Sequence, residues 1–140
     1  MKNIFVSWVG FNDLDSISGK SQSSGPVRAF LDSELSLSID EFHLIYNSAR
    51  KDETLKFIKF LDRKYPFRII THDAGEIDPS NFREIYTAVK RVIDSVVNGN
   101  PSAKLNWHFH TSPGTPQMAS VWLLLGASEY NAELYQSYMN

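Results

Sequence analysis

Apolar and polar residues follow two different patterns along the chain. Short, nearly continuous apolar runs, typical of buried strands, occur at residues 3–9, 41–48, 67–75, 104–111 and 132–139. Helices are predicted from apolar spacing and from Pro, Ser and Gly at their ends: at 26–35, at 52–65, from start signals at 78–80 to stop signals at 98–101, and at 116–130. Residues 11–25 show neither pattern and predict a long loop.

This order of elements predicts the fold class. Strands that alternate with helices indicate an α/β three-layer sandwich, in which a mainly parallel sheet of about five strands has helices on both faces. Because the crossover connections of such sheets are right-handed, we expect every strand-to-helix junction at one edge of the sheet. In open parallel sheets this edge is where ligands bind.

Composition narrows the class of protein. The chain has 140 residues, enough for one domain covering 1–140, and a net charge of -2 from 14 basic and 16 acidic residues. The even charge balance argues against direct contact with duplex DNA, and no apolar run reaches the length of a membrane span. The absence of cysteine excludes a disulfide scaffold and fits a cytoplasmic protein. The chain ends within a predicted strand, so we expect a domain of a longer regulatory protein.

The residues at the predicted junctions are polar and almost uncharged. They are Gly10, Asn12 and Asp13 after the first strand, Asn47 and Ser48 after the second, and Thr111, Ser112, Gly114, Thr115, Gln117 and Met118 after the fourth. Such a set suits hydrogen bonds to a polar ligand better than a charged catalytic centre. We therefore predict these residues as the ligand-binding set, with no metal and no cofactor.

The turn after the fourth strand has its own chemistry. Gly114 permits a positive φ, Thr115 is a good helix N-cap, and Pro116 can begin a helix because it lacks an N–H that the helix cannot use. The amides of Gln117 and Met118 and the helix dipole would then favour an anion or a carbonyl oxygen. A capped turn with no ligand is the alternative. The turn contains no P-loop, and the chain has no GxGxxG motif.

Two stretches resemble a known family. "HTSPGTPQM" is similar to the fourth-strand signature of CARF domains, approximately Thr-x-Gly-Thr-x-x-Met, on Thr111, Gly114, Thr115 and Met118. The spacing departs from the common form, Thr-Gly-Gly-Thr, because both Ser112 and Pro113 stand between Thr111 and Gly114. "FVSWVGFND" resembles the first strand and polar loop of these domains. The overall likeness is greatest to the N-terminal sensor domains of RtcR-like, sigma-54-dependent transcription activators.

The resemblance implies a Rossmann-like, homodimeric sensor. Such domains bind a cyclic oligoadenylate or, in the RNA-repair activators, an RNA terminus, through the loops after the first and fourth strands and across a two-fold interface. Carried over by position, Gly10, Asn12 and Asp13 match the first loop. Some members of the family cleave their ligand, so a phosphodiesterase that cleaves its ligand is the alternative expectation.

Other interpretations of single residues also follow from the sequence. In a metal-independent nuclease, Asp13 or His110 would move protons. A protein-interaction module would use the face of Trp122. His72, His108 and His110 are candidates for a metal site, although no carboxylate second shell is evident.

Overall fold

A computed structural model describes residues 1–19 and 24–137 of the chain. The strands are β1 (Lys2–Trp8), β2 (Glu41–Tyr46), β3 (Ile69–Asp73), β4 (Leu105–His110) and β5 (Glu133–Tyr135). The helices are α1 (Phe11–Ser18), α2 (Pro26–Leu31), α3 (Lys51–Lys64), α4 (Phe82–Asn98) and α5 (Pro116–Ser128). Short 3-10 helices occupy Glu34–Ser38 and Ser48–Arg50.

All described strands form one parallel sheet in the order β3-β2-β1-β4-β5. Strand β1 is central, and its Ser7 pairs with Leu44 of β2 on one side and with His110 of β4 on the other. The predicted α/β class and parallel sheet are confirmed. The chain runs outward from β1 to β3 and then crosses to the other side for β4 and β5, so the strand order reverses between β1 and β4. The sequence did not predict this order.

The sheet lies between two helical layers, because side chains of β1 alternate between its faces. Ile4, Val6 and Trp8 pack with the apolar residues of α4 and α5. Phe5 and Val9 pack on the opposite face with residues of α1, α2 and α3. Both faces of the sheet are therefore buried, which explains the continuous apolar runs of its strands.

Helix α5 is less uniformly buried than its sequence suggests. Trp122 is fully buried, and its ring centroid lies 4.8 Å from that of Phe109. Of the two interpretations of Trp122, burial within the domain is therefore the correct one, and Trp122 itself is not part of an interaction surface. Leu123 and Leu124, the next two residues, are the exposed apolar side chains of the helix.

The predicted loop at 11–25 is wrong over its first half, where helix α1 forms. Gly10 is the N-cap, and its amide donates to Oδ2 of Asp13 at 2.9 Å. Gly19 ends the helix with a φ of 81°. Only Leu14 is a fully buried apolar residue of this helix, so an apolar period could not reveal it. Residues 20–23 of the same predicted loop lie outside the described residues.

Other boundaries moved by a few residues. Helix α2 ends at Leu31, and a 3-10 helix replaces the end of the predicted 26–35 helix. Helix α4 is capped by Asn81, whose Oδ1 accepts from the amide of Glu84 at 3.1 Å. The earlier signal, Asp78, instead closes a turn by accepting from the amide of Ser80 at 2.9 Å. The predicted fifth strand at 132–139 is present as the shorter strand β5, Glu133–Tyr135. Residues 138–140 lie outside the described part of the chain.

Within residues 1–19 and 24–137, none of the helices combines the length and apolar character that crossing a bilayer requires.

Candidate ligand-binding site

The turns after β1 and β4 meet at the reversal of strand order and enclose a cavity of about 240 Å³. They approach so closely that a Cβ atom on Gly10 would lie 3.1 Å from the amide nitrogen of Gly114. The cavity is lined by Trp8, Val9, Gly10, Phe11, Asn12, Pro26, Asn47, Pro79, Ser112, Pro113, Gly114, Thr115 and Met118. None of these side chains carries a charge, so hydrogen bonds and dipoles determine what the cavity can hold.

The structure brings together most of the residues predicted to bind a ligand. Gly10, Asn12, Asn47, Ser112, Gly114, Thr115 and Met118 line the cavity. Asp13, Ser48, Thr111 and Gln117 are not among its lining residues. Sequence reasoning missed Trp8, Val9, Phe11, Pro26, Pro79 and Pro113, which are apolar or aromatic. The prediction considered only polar residues at the strand-to-helix junctions. Nothing in the residue pattern places Pro79, in the segment before α4, at this cavity.

The start of helix α5 is held by Thr115. Its Oγ1 accepts from the amide of Met118 at 3.2 Å, as an N-cap should, and donates to the carbonyl of Pro79 at 2.6 Å. The prediction that the Met118 amide is free is therefore wrong. In the described part of the chain, the amides of Gly114 and Gln117 have no protein acceptor. Two donors thus remain at the positive end of the α5 dipole.

Gly114 is required by both its backbone and its surroundings. Its φ is 89°, a conformation that residues with a side chain rarely adopt. A Cβ atom at this position would also lie 2.3 Å from the sulfur of Met118. Met118 is buried directly beneath the turn. The buried methionine therefore supports the turn that forms one wall of the cavity.

Helix α1 supplies a second N-terminus to the same cavity. Gly10 is its N-cap, and Phe11 and Asn12 are its first two residues, all three lining the cavity. The amides of Phe11 and Asn12 have no protein acceptor among the described residues. Two helix N-termini therefore converge on one cavity, each with free amides, which is an arrangement that favours an anion.

Asp13 stabilises this arrangement from below and does not line the cavity. It is fully buried, and its Oδ2 accepts from the amide of Gly10 at 2.9 Å while Oδ1 accepts from the amide of Val27 at 2.8 Å. Burial raises the pKa of Asp13 to about 7, and the two amide hydrogen bonds act in the opposite direction. The carboxyl group joins the start of α1 to the start of α2. Its role is to position Gly10 and the neighbouring Pro26.

Thr111, Ser48 and Asn47 use their polar groups mainly within the fold. The amide and Oγ1 of Thr111 both donate to the carbonyl of Tyr135, at 2.9 and 3.0 Å. The amide of Ser48 donates to the carbonyl of Gly75 at 3.0 Å. Nδ2 of Asn47 donates to the carbonyl of Ile77 at 2.8 Å. Of these three residues, only Asn47 borders the cavity.

Ser112 lies on the cavity and is connected to the chain that follows β5. Its Oγ accepts from the amide of Ser137 at 2.7 Å. The neighbouring His110 contacts the same residue, with Nε2 2.6 Å from Oγ of Ser137. The turn after β4 is thus bonded to residues 135–137 at consecutive positions.

The histidines do not form a metal site. His110 is fully buried on the face covered by α1–α3, with Nδ1 2.9 Å from Oγ of Ser7. His108 lies on the same face, with Nδ1 2.9 Å from the hydroxyl of Tyr135. His72 lies on the other face, where its Nε2 is 2.9 Å from Nδ1 of His43. Among residues 1–19 and 24–137, no three His, Cys, Asp or Glu side chains are placed to hold a metal ion.

His110 is also unsuited to proton transfer in the cavity. Burial lowers the pKa of His110 to about 3, so its imidazole is neutral near pH 7. Both of its ring nitrogens bond to serines, and the ring does not line the cavity. The alternative in which His110 moves protons for a nuclease is therefore wrong.

An exposed aromatic residue lines the cavity at the start of α1. Phe11 is 54% exposed, and the guanidinium carbon of Arg50 lies 4.7 Å from the centre of its ring. Arg50 is fixed by an ion pair with Asp15 at 3.0 Å and by hydrogen bonds to Glu53. The ring is thus supported on one face by a cation whose charge two carboxylates balance.

No family model and no curated protein matches the chain. Csm6 of Enterococcus italicus, solved bound to cyclic hexa-2'-fluoro-hexa-dAMP, has a similar fold, with a TM-score of 0.69 and 14% sequence identity over 96% of this chain and 33% of that one. Can2 from Sulfobacillus thermosulfidooxidans, in complex with cyclic tetra-adenylate, matches with a TM-score of 0.62 and 14% identity over 96% of this chain and 31% of that one. The chain therefore spans about a third of the length of these proteins, and it shares with them a five-stranded, Rossmann-like α/β fold.

Proposed function

We propose that this chain is a CARF-type sensing domain that binds a phosphodiester ligand, a cyclic oligoadenylate or an RNA terminus. One observation carries the proposal: two helix N-termini converge on an uncharged cavity, and its lining residues Phe11, Asn12 and Gly114 offer it free amides. Free amides at the positive ends of helix dipoles bind phosphate oxygens without a basic side chain. Csm6 and Can2, which share the fold, were both solved with rings of adenine nucleotides.

The size of the cavity supports a dimer. Its volume of about 240 Å³ is below the roughly 300–1,000 Å³ of pockets that enclose a drug-sized ligand. A ring of four or six nucleotides is larger still and would extend beyond one copy of the chain. We therefore expect two copies to hold one ring across a two-fold axis, the commonest symmetry of protein oligomers.

A sensor, and not a nuclease, is the function that the buried groups favour. Asp13 and His110 were the candidates for proton transfer, and both are fully buried away from the cavity. The lining residues include no Asp, Glu, His, Cys or Lys side chain that could transfer a proton. The signal would be the difference in ligand affinity between two arrangements of the dimer.

The proposed function includes control of an output domain. We expect the domain to control a regulatory protein such as an RtcR-like, sigma-54-dependent transcription activator, in the cytoplasm. The net charge of -2 makes sequence-independent binding to duplex DNA unfavourable, so DNA contact would belong to another domain. An electrophoretic mobility assay of this chain with duplex DNA should show no shift, and a shift at physiological salt would contradict this part of the proposal.

Thermal denaturation with candidate ligands tests the proposed function. Cyclic tetra-adenylate, cyclic hexa-adenylate and RNA with a cyclic phosphate end are the probes, and adenosine monophosphate is the single-nucleotide reference. A ligand at a hundred times its Kd should stabilise the fold by about 2.7 kcal/mol. No stabilisation by any of the three probes would refute the proposal. Product analysis by chromatography should show an intact ligand, and turnover would favour the nuclease.

Gly10→Ala is the matched variant for this screen. Gly10 has a φ of -91°, which alanine adopts without strain, and its added Cβ would enter the gap between the two turns, 3.1 Å from the amide of Gly114. We expect stability to change by less than about 1 kcal/mol, because the backbone is compatible with alanine and the contact needs only small shifts. The ligand-induced stabilisation should nevertheless fall sharply.

A further inference from the structure

Phe11 combines two features that a nucleotide requires of one residue. Its backbone amide is one of the free donors at the start of α1, and the residue lines the same cavity while 54% of it stays exposed. A phosphate and a base in one nucleotide are separated by a single sugar. A phosphate held at the amides of α1 would therefore place its base within reach of this ring.

The ring of Phe11 is supported in one position before any ligand binds. The guanidinium of Arg50 lies over one of its faces at 4.7 Å, and Arg50 is fixed by Asp15 and Glu53. These two carboxylates neutralise the cation, which makes Arg50 a poor partner for a phosphate and a good support for an aromatic ring. A ring held in place in the free protein loses little conformational freedom when a ligand stacks on it.

We propose that Phe11 is the residue that recognises a planar base in this site, by stacking its open face on the base while Arg50 supports the other face. This deepens the proposed function and rests on it, because the ligand is taken to be a nucleotide held by the amides of α1 and α5. The cavity would thus select nucleotides over other phosphate compounds, such as sugar phosphates and inorganic phosphates. Phe11 is a specificity residue that stacks on the ligand and takes no part in chemistry.

Phe11→Leu and Phe82→Leu form a matched pair for the test. Phe82 is the first residue of α4, as Phe11 is of α1, and it is 56% exposed, but it does not line the cavity. The two changes remove similar aromatic area at equivalent helix positions. Phe11→Trp restores an aromatic face.

Isothermal titration calorimetry with cyclic tetra-adenylate and cyclic hexa-adenylate measures the effect. We expect Phe11→Leu to weaken binding about 5- to 150-fold, the range for loss of one base–aromatic stack. Phe82→Leu should stay within about 2-fold of the wild type and Phe11→Trp within about 3-fold. Arg50→Gln should weaken binding about 2- to 5-fold, as expected for a lost cation–π contact at an exposed site. The wild type should bind ribose 5-phosphate much more weakly than adenosine monophosphate. Phe11→Leu should bind these two compounds with equal affinity.

A spectroscopic readout separates stacking from a structural effect. A cyclic tetra-adenylate with one 2-aminopurine should lose fluorescence on binding to the wild type and recover it in Phe11→Leu at saturating protein. If Phe11→Leu weakens binding no more than Phe82→Leu, the stacking proposal is overturned while the sensor function stands. If Arg50→Gln weakens binding more than Phe11→Leu, Arg50 is itself the ligand contact and the proposal is also overturned. If the wild type binds neither ring and does not bind RNA with a cyclic phosphate end, both the proposed function and this inference are wrong.

Discussion

Replacing Gly114 by alanine should destabilise the fold more than the same replacement at Gly75. The two glycines have similar backbones, with φ of 89° and 78°. Alanine at either position therefore suffers the cost of a positive φ, about 1–2 kcal/mol, less a common gain of about 0.4–1 kcal/mol from a stiffer unfolded chain. Their surroundings differ. A Cβ atom on Gly75 meets nothing within 4 Å, whereas one on Gly114 lies 2.3 Å from the sulfur of Met118.

The contact with Met118 sets the size of the difference. Met118 is 5% exposed, belongs to the core between the sheet, α4 and α5, and accepts from the amide of Thr115 through its sulfur at 3.5 Å. A shift of its side chain, even towards the cavity that it lines, would therefore disturb this packing and this contact. Forcing extra volume into a packed core costs about 1–3 kcal/mol. Gly114→Ala should thus be less stable than Gly75→Ala by about 1–3 kcal/mol, measured by urea unfolding of both variants in parallel.

A double-mutant cycle tests the cause. Met118→Ala alone should cost about 2–5 kcal/mol as a truncation in the core. If the clash is the reason, Gly114→Ala combined with Met118→Ala should cost less than the sum of the two by about 1–3 kcal/mol. Equal stability of Gly114→Ala and Gly75→Ala, or strict additivity in the cycle, would refute the assigned role of Met118.

Two further predictions concern stability. Thr115→Ala should cost about 1–2 kcal/mol in urea unfolding because it removes the N-cap of α5 and the bond to Pro79, and Thr115→Ser, which keeps the hydroxyl, should recover most of it. Burial lowers the pKa of His110 to about 3, below its ordinary value near 6.5, so its stabilising contribution is complete above pH 6.5 and is lost as the pH falls towards 3. The loss between pH 6.5 and 5 should be about 2 kcal/mol, and His110→Asn should lack it. Asp13, with its pKa raised to about 7, changes in the opposite direction between pH 7 and pH 4, and that effect cancels when the variant is compared with the wild type. An identical pH profile for His110→Asn and the wild type would contradict this account.

The strands and long helices could be predicted because burial leaves a strong pattern in the sequence. Strand β2 is buried along its whole length, and α4 repeats its apolar residues with the period of a helix. Helix α1 left no such pattern, since its main determinants are the backbone of Gly10, the carboxyl of Asp13 and the positive φ of Gly19. Such a helix can be recognised in a sequence only from its capping residues, because it has no apolar period.

The site was predictable at the level of chain segments and less so at the level of atoms. Parallel strands bring their carboxyl ends to one edge, so the turns that contain Gly10 and Gly114 had to approach each other. Whether a polar side chain faces the cavity or the interior depends on local hydrogen bonds. Asp13 turns inward to two amides, and Thr111 bonds to the carbonyl of Tyr135. Pro79 reaches the cavity through tertiary packing, which residue spacing does not encode.

The bonds between the end of β4 and residues 135–137 have a mechanical consequence. His110, Thr111 and Ser112 each bond to this segment, and Ser112 also borders the cavity. A displacement of the turn by a fraction of an ångström would either lengthen these hydrogen bonds or move the edge strand β5 with the turn. The cavity wall at Ser112 and residues 135–137 are therefore mechanically coupled, and a displacement of one would be transmitted to the other.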